Sequence, residues 1–400
     1  MILENHEVVS NKVISNTRLK KSHIVLLITC NLLLLFVMAS CKSGQGMVDA
    51  TLLLPDTFVY NRQWQPAHLV QDGDTTSIMI KGRGHSTFVQ PKHPYALRWG
   101  AKHSLGSLPR HRHAVLLANF FDHSLLRNAL AMEVTRQTSL RDVTPQDCFV
   151  SLTVDDEWQG IYWASERVKD CVAHNDSLLR LDAYYQSEQR AANLPIDTLP
   201  SHIPIDTLSF VDWWLIHELC MNAEPNGPRS VYARIVGDSV LKAGPVWDFD
   251  MAFNPMGVDD GGDLRPEKFK TMHTLPPFLQ GKVIRWLSVD SFYLDHAPIM
   301  QPFIHDSHFW RLARERWQEL RPRFSSLTSR LRQWKRQLRR TGAEKDQRKW
   351  NTLEPARFDD ATSWTEAIRK LERTYHRRLQ TMDKLLGAEP NRSRTFPSSE

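Results

Sequence analysis

Two carboxylates two residues apart, Asp248 and Asp250, follow the run Lys242-Ala243-Gly244-Pro245-Val246-Trp247. Acids at a strand end suit a hard cation such as Mg²⁺, which takes one or two protein carboxylates and keeps several waters. In phosphoryl-transfer enzymes such an aspartate holds the metal that bridges the nucleotide phosphates. A strand-terminal turn with solvated acids has the same local sequence. Upstream, Glu218 to Glu224 runs from a helix-forming segment into a loop, just ahead of Ser230-Val231-Tyr232. Asn222 can ligate metal through its amide oxygen, and Glu224 can act as a general base or orient a hydroxyl. His217-Glu218 has the start of a zinc-helix pattern, but Met221 stands where the second histidine belongs. His217 therefore reads as a surface or packing residue. Lys81 to Thr87 contains Gly82-Arg83-Gly84, a turn whose backbone N–H groups can approach a phosphate, with Arg83 and Lys92 as counter-charges. A plain hairpin turn carries the same glycines.

Each of these constellations needs an element to hold it. Ser77 to Ile80 and Tyr95 to Trp99 read as strands on either side of the glycine turn, and His113 to Ala118 is a further apolar run. Leu125 to Val134 has helical spacing. Residues 148–165 read as a hairpin turning at Asp155-Asp156-Glu157. The stretch 172–206 is polar and proline-dotted; Pro-Ile-Asp-Thr-Leu occurs twice there, at 195–199 and 204–208, and reads as loop. Ser209 to Met221 predicts a helix with one broad apolar face, leading to the Asn222–Glu224 loop. Val231 to Ile235 and Val240 to Val246 read as a strand pair that delivers Asp248. Gly257 to Gly262 reads as a flexible acidic loop. Trp317, Leu320, Phe324, Leu327, Leu331, Trp334 and Leu338 step by three and four, an amphipathic stripe whose opposite face is dense in arginine. Pro322 within the stripe is expected to kink the helix or mark its beginning. A second helix is expected over 363–386.

The 400 residues carry a formal charge of +6, with 41% hydrophobic and 24% charged residues, a globular composition. Part of the basic excess lies in the first 40 residues, so nucleic acid need not be invoked as a partner. Arg18, Lys20 and Lys21 precede the apolar run Ile24 to Val37, and Met38-Ala39-Ser40 then leads into Cys41. This order reads as a signal peptide over 1–40 with a lipobox-like end, Cys41 taking the lipid. A plain membrane anchor is the simpler reading. The expected location is a bacterial cell envelope, lipid-anchored. The remaining cysteines, Cys148, Cys171 and Cys220, match no zinc spacing and read as buried thiols. The expected division is signal peptide 1–40, tether 41–50, one catalytic domain 51–386 and a disordered tail 387–400.

Five ordered motifs resemble the CotH kinase family. They are Lys81 to Thr87 with Lys92 to Trp99, Leu116 to Asn128, Gly160 to Val168 with Glu166, Glu218 to Tyr232, and Gly244 to Phe249. The resemblance covers about 75 to 386. It implies an α+β, atypical protein-kinase-like fold of two lobes, β-rich (about 51–165) then helical (about 176–386), with a hinge near 163–175. It implies ATP with Mg²⁺ or Mn²⁺ as cofactors and phosphorylation of proteins, here envelope or exported ones. By the same resemblance Asp248 is the metal-binding aspartate, Asn222 a second metal ligand or a loop-shaping residue, and Asp250 a companion acid. Arg83, Lys92 and Arg98 are candidate phosphate contacts, Glu166 serves the hinge or its charge network, and Asp122 with Arg127 looks like a structural pair. Four positions depart from the family pattern. Glu224 stands for an aspartate, Arg98 for a lysine, His85 for an asparagine, and Asp250 where asparagine is also common. Glu224 and Arg98 leave open a second reading, a catalytically weak pseudokinase that acts as an envelope scaffold or binding protein.

Overall fold

The computed structural model describes residues 47–181, 203–222, 224–226, 230–237, 239–253, 292–294, 297–350 and 361–387. The expected signal peptide with Cys41, the first copy of the repeat (195–199), the acidic loop 257–262 and the tail after 387 lie outside them.

The strand-rich half is a closed barrel. Its strands are β1 (Val48–Leu53), β2 (Gln65–Gln71), β3 (Asp74–Gly82), β4 (Tyr95–His103), β5 (His111–Leu117), β6 (Asp147–Val154) and β7 (Glu157–Ser165). Their spatial order is β1-β2-β3-β4-β5-β7-β6. Closure comes from β1, which pairs antiparallel with β2 and parallel with β6. That seam begins at Val48, so the end of the stretch read as a tether is in fact structural. The expectation was the β-rich lobe of a kinase-like fold; the strands form a closed barrel rather than a kinase-type sheet. A seventh strand, too short and mixed to announce itself, removes both edges instead.

Alternation explains the barrel's two surfaces. Ile78, Ile80, Leu97, Trp99, Leu116, Val150 and Tyr162 point inward and form a core of their own. Val115, Leu117, Phe149, Ile161 and Trp163 point outward and join the core shared with the helices. Strands covered on both faces read as continuous apolar runs, which is why His113 to Ala118 shows no alternation.

The helical half holds α1 (Arg127–Arg136), α2 (Thr207–Cys220), α3 (Ser307–Thr341), α4 (Ala343–Trp350) and α5 (Trp364–Gly387). A small antiparallel sheet of β8 (Ser177–Arg180), β9 (Tyr232–Val236) and β10 (Val240–Ala243) accompanies them. Strand β8 lies in the segment expected to be loop. Asp206, in the second copy of the repeat, caps α2 by accepting the Ser209 N–H at 3.1 Å. Helix α2 is buried around its whole circumference rather than on one face, Asp212, His217 and Glu218 included. The stripe from Trp317 to Leu338 is buried throughout. Pro322 does not mark a beginning: α3 starts fifteen residues earlier, at Ser307, and runs through it. Pro322 and Gln318 are exposed, so water can meet the carbonyl that the ring deprives of a partner.

Candidate functional site: an acidic loop beside a basic pocket

The Asp248–Asp250 loop is gripped from three directions. Helix α2 ends when Met221 takes a left-handed conformation (φ 52°), which turns the chain back on itself. The Asn222 side chain then donates to the Asp248 carbonyl at 3.2 Å and accepts the Glu224 N–H at 3.2 Å. From α1, Asn128 accepts the Phe249 N–H at 2.9 Å, and Arg127 donates to the Asp250 carbonyl at 3.0 Å. Asp122 holds Arg127 in turn, accepting its backbone N–H at 2.8 Å and lying 3.6 Å from its guanidinium. From the approach to β9, the Ser230 hydroxyl donates to Asp248 Oδ2 at 3.0 Å. Asp248 itself has φ +70°, an uncommon conformation for a non-glycine residue, held by these surrounding contacts. Phe249 is buried and stacks on His217 with ring centroids 5.0 Å apart.

The electrostatics of this loop are lopsided. Burial, then the nearby Asp248, Glu224 and Asp122, push the Asp250 carboxyl well above the usual range. Burial lowers Arg83, and Asp248 and Asp250 oppose that shift. Among the described residues Arg83 makes no direct ion pair with either acid, so its charge acts on them across space.

Beside the loop lies a pocket of about 390 Å³. Its walls are the outer face of β3 to β5, the segment Arg167–Lys169 that follows β7, and Tyr232 and Trp247. Lys81, Arg83, Arg167, Lys169 and His113 line it, and no carboxylate does among the described residues. The basic pocket and the acidic loop meet at Arg83 and at Trp247, which immediately precedes Asp248.

Asn222, Glu224, Asp248, Asp250 and Arg83 are thus brought together, and three other expected site residues are not. Lys92 is 1% exposed, and its ammonium is taken by Asp346 of α4 at 2.8 Å and by the Ile161 carbonyl at 2.7 Å. Burial lowers its pKa against the pull of Asp346. It seals the barrel to α4 and does not line the pocket. Lys81 does, which strand alternation from Arg83 could have shown, since the two are two residues apart. Arg98 lies over the Trp64 ring at 4.7 Å, outside the pocket lining. Glu166 is committed to His111 at 2.7 Å and to the Gln146 N–H at 2.8 Å, so it braces strand ends rather than facing the pocket. Ser230 was legible as part of a motif, but its role was not. Asn128 was likewise legible as a motif position without its role, and Asp346 gave no local signal.

A family model for CotH kinase protein matches residues 78–198 and 197–382. The chain belongs to the CotH kinase family. The match spans the site from the glycine turn to the loop at Asp248. No curated protein matches the chain. Both polar atoms of the Asn222 amide take part in shaping the loop, Nδ2 donating to the Asp248 carbonyl and Oδ1 accepting the Glu224 N–H.

The donor set fits a divalent cation of the magnesium kind. Among the described residues no three His, Cys, Asp or Glu side chains form a ready-made metal cage. Magnesium does not ask for one: it takes one or two carboxylates and completes its shell with phosphate oxygens and water. Asp248 Oδ1 accepts no hydrogen bond among the described residues, and the buried negative charge around Asp250 is of the kind a cation neutralises.

Proposed function

We propose that the chain is an ATP- and Mg²⁺-dependent protein kinase with a kinase-like division into two lobes, the pocket being its nucleotide site. The carrying observation is the junction of a pocket rich in cations with a loop rich in carboxylates, hinged on Arg83 and Asp248. A triphosphate needs cations along its length and a metal at its transferring end. Lys81 and Arg83 offset phosphate charge, and Asp248, with Asp250 behind it, holds the metal. What magnesium supplies when bound is charge neutralisation on the phosphoryl group being transferred. Glu224 orients the acceptor hydroxyl of a protein and takes its proton. A phosphorus–oxygen bond forms to that hydroxyl as the β–γ bridge breaks, and ADP leaves. The acceptor is an envelope or exported protein, and the chain reaches it from a membrane through lipid on Cys41.

A second reading, nucleotide binding without transfer, is supported by Glu224. It carries one methylene more than the family's aspartate while its own N–H is tied to Asn222. Displacement of a catalytic group by roughly 1 Å can cost ~100-fold in rate. Thermal shift with Mg-ATP beside a phosphoryl-transfer assay separates the readings. Asp248→Asn should abolish both stabilisation and transfer. Glu224→Ala should keep the stabilisation and lose transfer. Stabilisation of the parent without any transfer supports the second reading, and a parent indifferent to Mg-ATP refutes both.

A further inference from the structure

A second concavity lies elsewhere, between α3 and α5, and has about 1180 Å³ of space. Arg369, Arg373 and Arg377 of α5 line one side and Arg332 of α3 the other. Two acids also line it, and both are engaged. Glu372 pairs with Lys335 at 2.8 Å, bridging the two helices, and Glu366 accepts the Thr362 N–H at 2.8 Å and its hydroxyl. Arg369 and Arg373 are exposed and have no ion pair among the described residues. Arginines at i, i+4 and i+8 repel one another along a helix, and the two acids beside them are already engaged. An anionic occupant would relieve that repulsion along the ladder.

Spacing selects the occupant. Successive arginines of the ladder rise about 6 Å along α5. Alternate side chains of an extended peptide are about 6.7 Å apart. Carboxylates at every second residue of a strand-like segment can therefore meet Arg369 and Arg373 in turn, with Arg332 closing from the far side. A concave groove also suits a chain laid into it better than a flat bilayer. We propose that this groove docks an extended, acidic segment of a partner protein, at a site separate from the pocket beside Asp248. The inference does not depend on kinase activity.

The test is fluorescence anisotropy with a labelled peptide of alternating aspartate and serine and the full chain. Arg369→Glu with Arg373→Glu should weaken binding ~10-fold or more. Arg336→Glu with Arg340→Glu makes the same change in net charge on exposed residues of α3 outside the groove, and should weaken it far less. Equal losses in the two double variants would mean a general charge effect and would overturn the proposal, as would no binding at low salt. Tighter binding through Arg369 and Arg373 of an oligothymidylate of matched charge, or of anionic phospholipid vesicles, would overturn the partner class. Unchanged thermal unfolding of both variants guards against a loss of fold.

Discussion

His217 illustrates how a residue with catalytic potential is spent on packing. Its ring lies between Trp213 and Phe249, and neither ring nitrogen has a hydrogen-bond partner among the described residues. Burial pulls its pKa from 6.5 down to about 3, so it is neutral in the folded chain. The unfolded chain takes up a proton here below pH 6.5 while the folded chain does not until about 3. Stability from this group is present above the first value and is lost as pH falls toward the second. His217→Phe should flatten the acid limb of a plot of thermal midpoint against pH in that window, while leaving the neutral plateau little changed. At the loop itself, the hydroxyl of Ser230 is the only described donor to the Asp248 carboxylate. Ser230→Ala should leave the protein folded but weaken Mg-ATP binding, since one oxygen loses its alignment. Isothermal titration reads that effect directly; an unchanged affinity would make Ser230 incidental.

Between elements, the buried pair of Lys92 and Asp346 decides how the barrel meets α4. Asp346 also accepts the Ile161 N–H, and Gly160 beside it has φ +106°, where a Cβ would run into the Asp346 carboxylate. Glycine is needed there for both reasons. Breaking a buried ion pair by removing one partner leaves a charge without compensation and typically costs ~3–5 kcal/mol. Lys92→Met should show that loss in denaturant unfolding. Lys92→Met with Asp346→Leu should recover much of it, because no lone charge is then left inside. If the double variant is as unstable as the sum of the single ones, the two residues act independently and the sealing role fails.

At the scale of the whole molecule, the site depends on a helix that never touches the pocket. Arg378 of α5 is fully buried; its Nε donates to the Glu218 carbonyl at 2.8 Å and its Nη2 to the Glu218 carboxylate at 2.7 Å. Glu218 in turn accepts the N–H groups of Tyr293 and Leu294. The end of α2, from which Asn222 and Glu224 are hung, is thereby fastened to the far side of the core. Ending the chain before Trp364 removes that fastening together with the buried face of α5 from Ile368 to Leu386. The shortened chain should lose Mg-ATP stabilisation and cooperative unfolding of its helical part. The barrel strands, which have an interior core of their own, should retain protection from amide exchange.

Local chemistry was legible without coordinates. Periodicity located most strands and helices, because burial on one face repeats every two or every three to four residues whatever the final topology. The motifs around Arg83, Asn222 and Asp248 announced the family, because tight backbone turns and the polar contacts that hold them restrict residue type at each position. Decisions made by distant partners were not legible. Strand β1 closes the barrel through a parallel pairing with β6, about a hundred residues away. Lys92 looks like a phosphate ligand until Asp346, 254 residues later, claims its charge. Lys81, near the end of β3 and two residues before Arg83, faces the pocket in its place. A cation's role is set by the counter-charge that reaches it first, and only the tertiary structure says which one does.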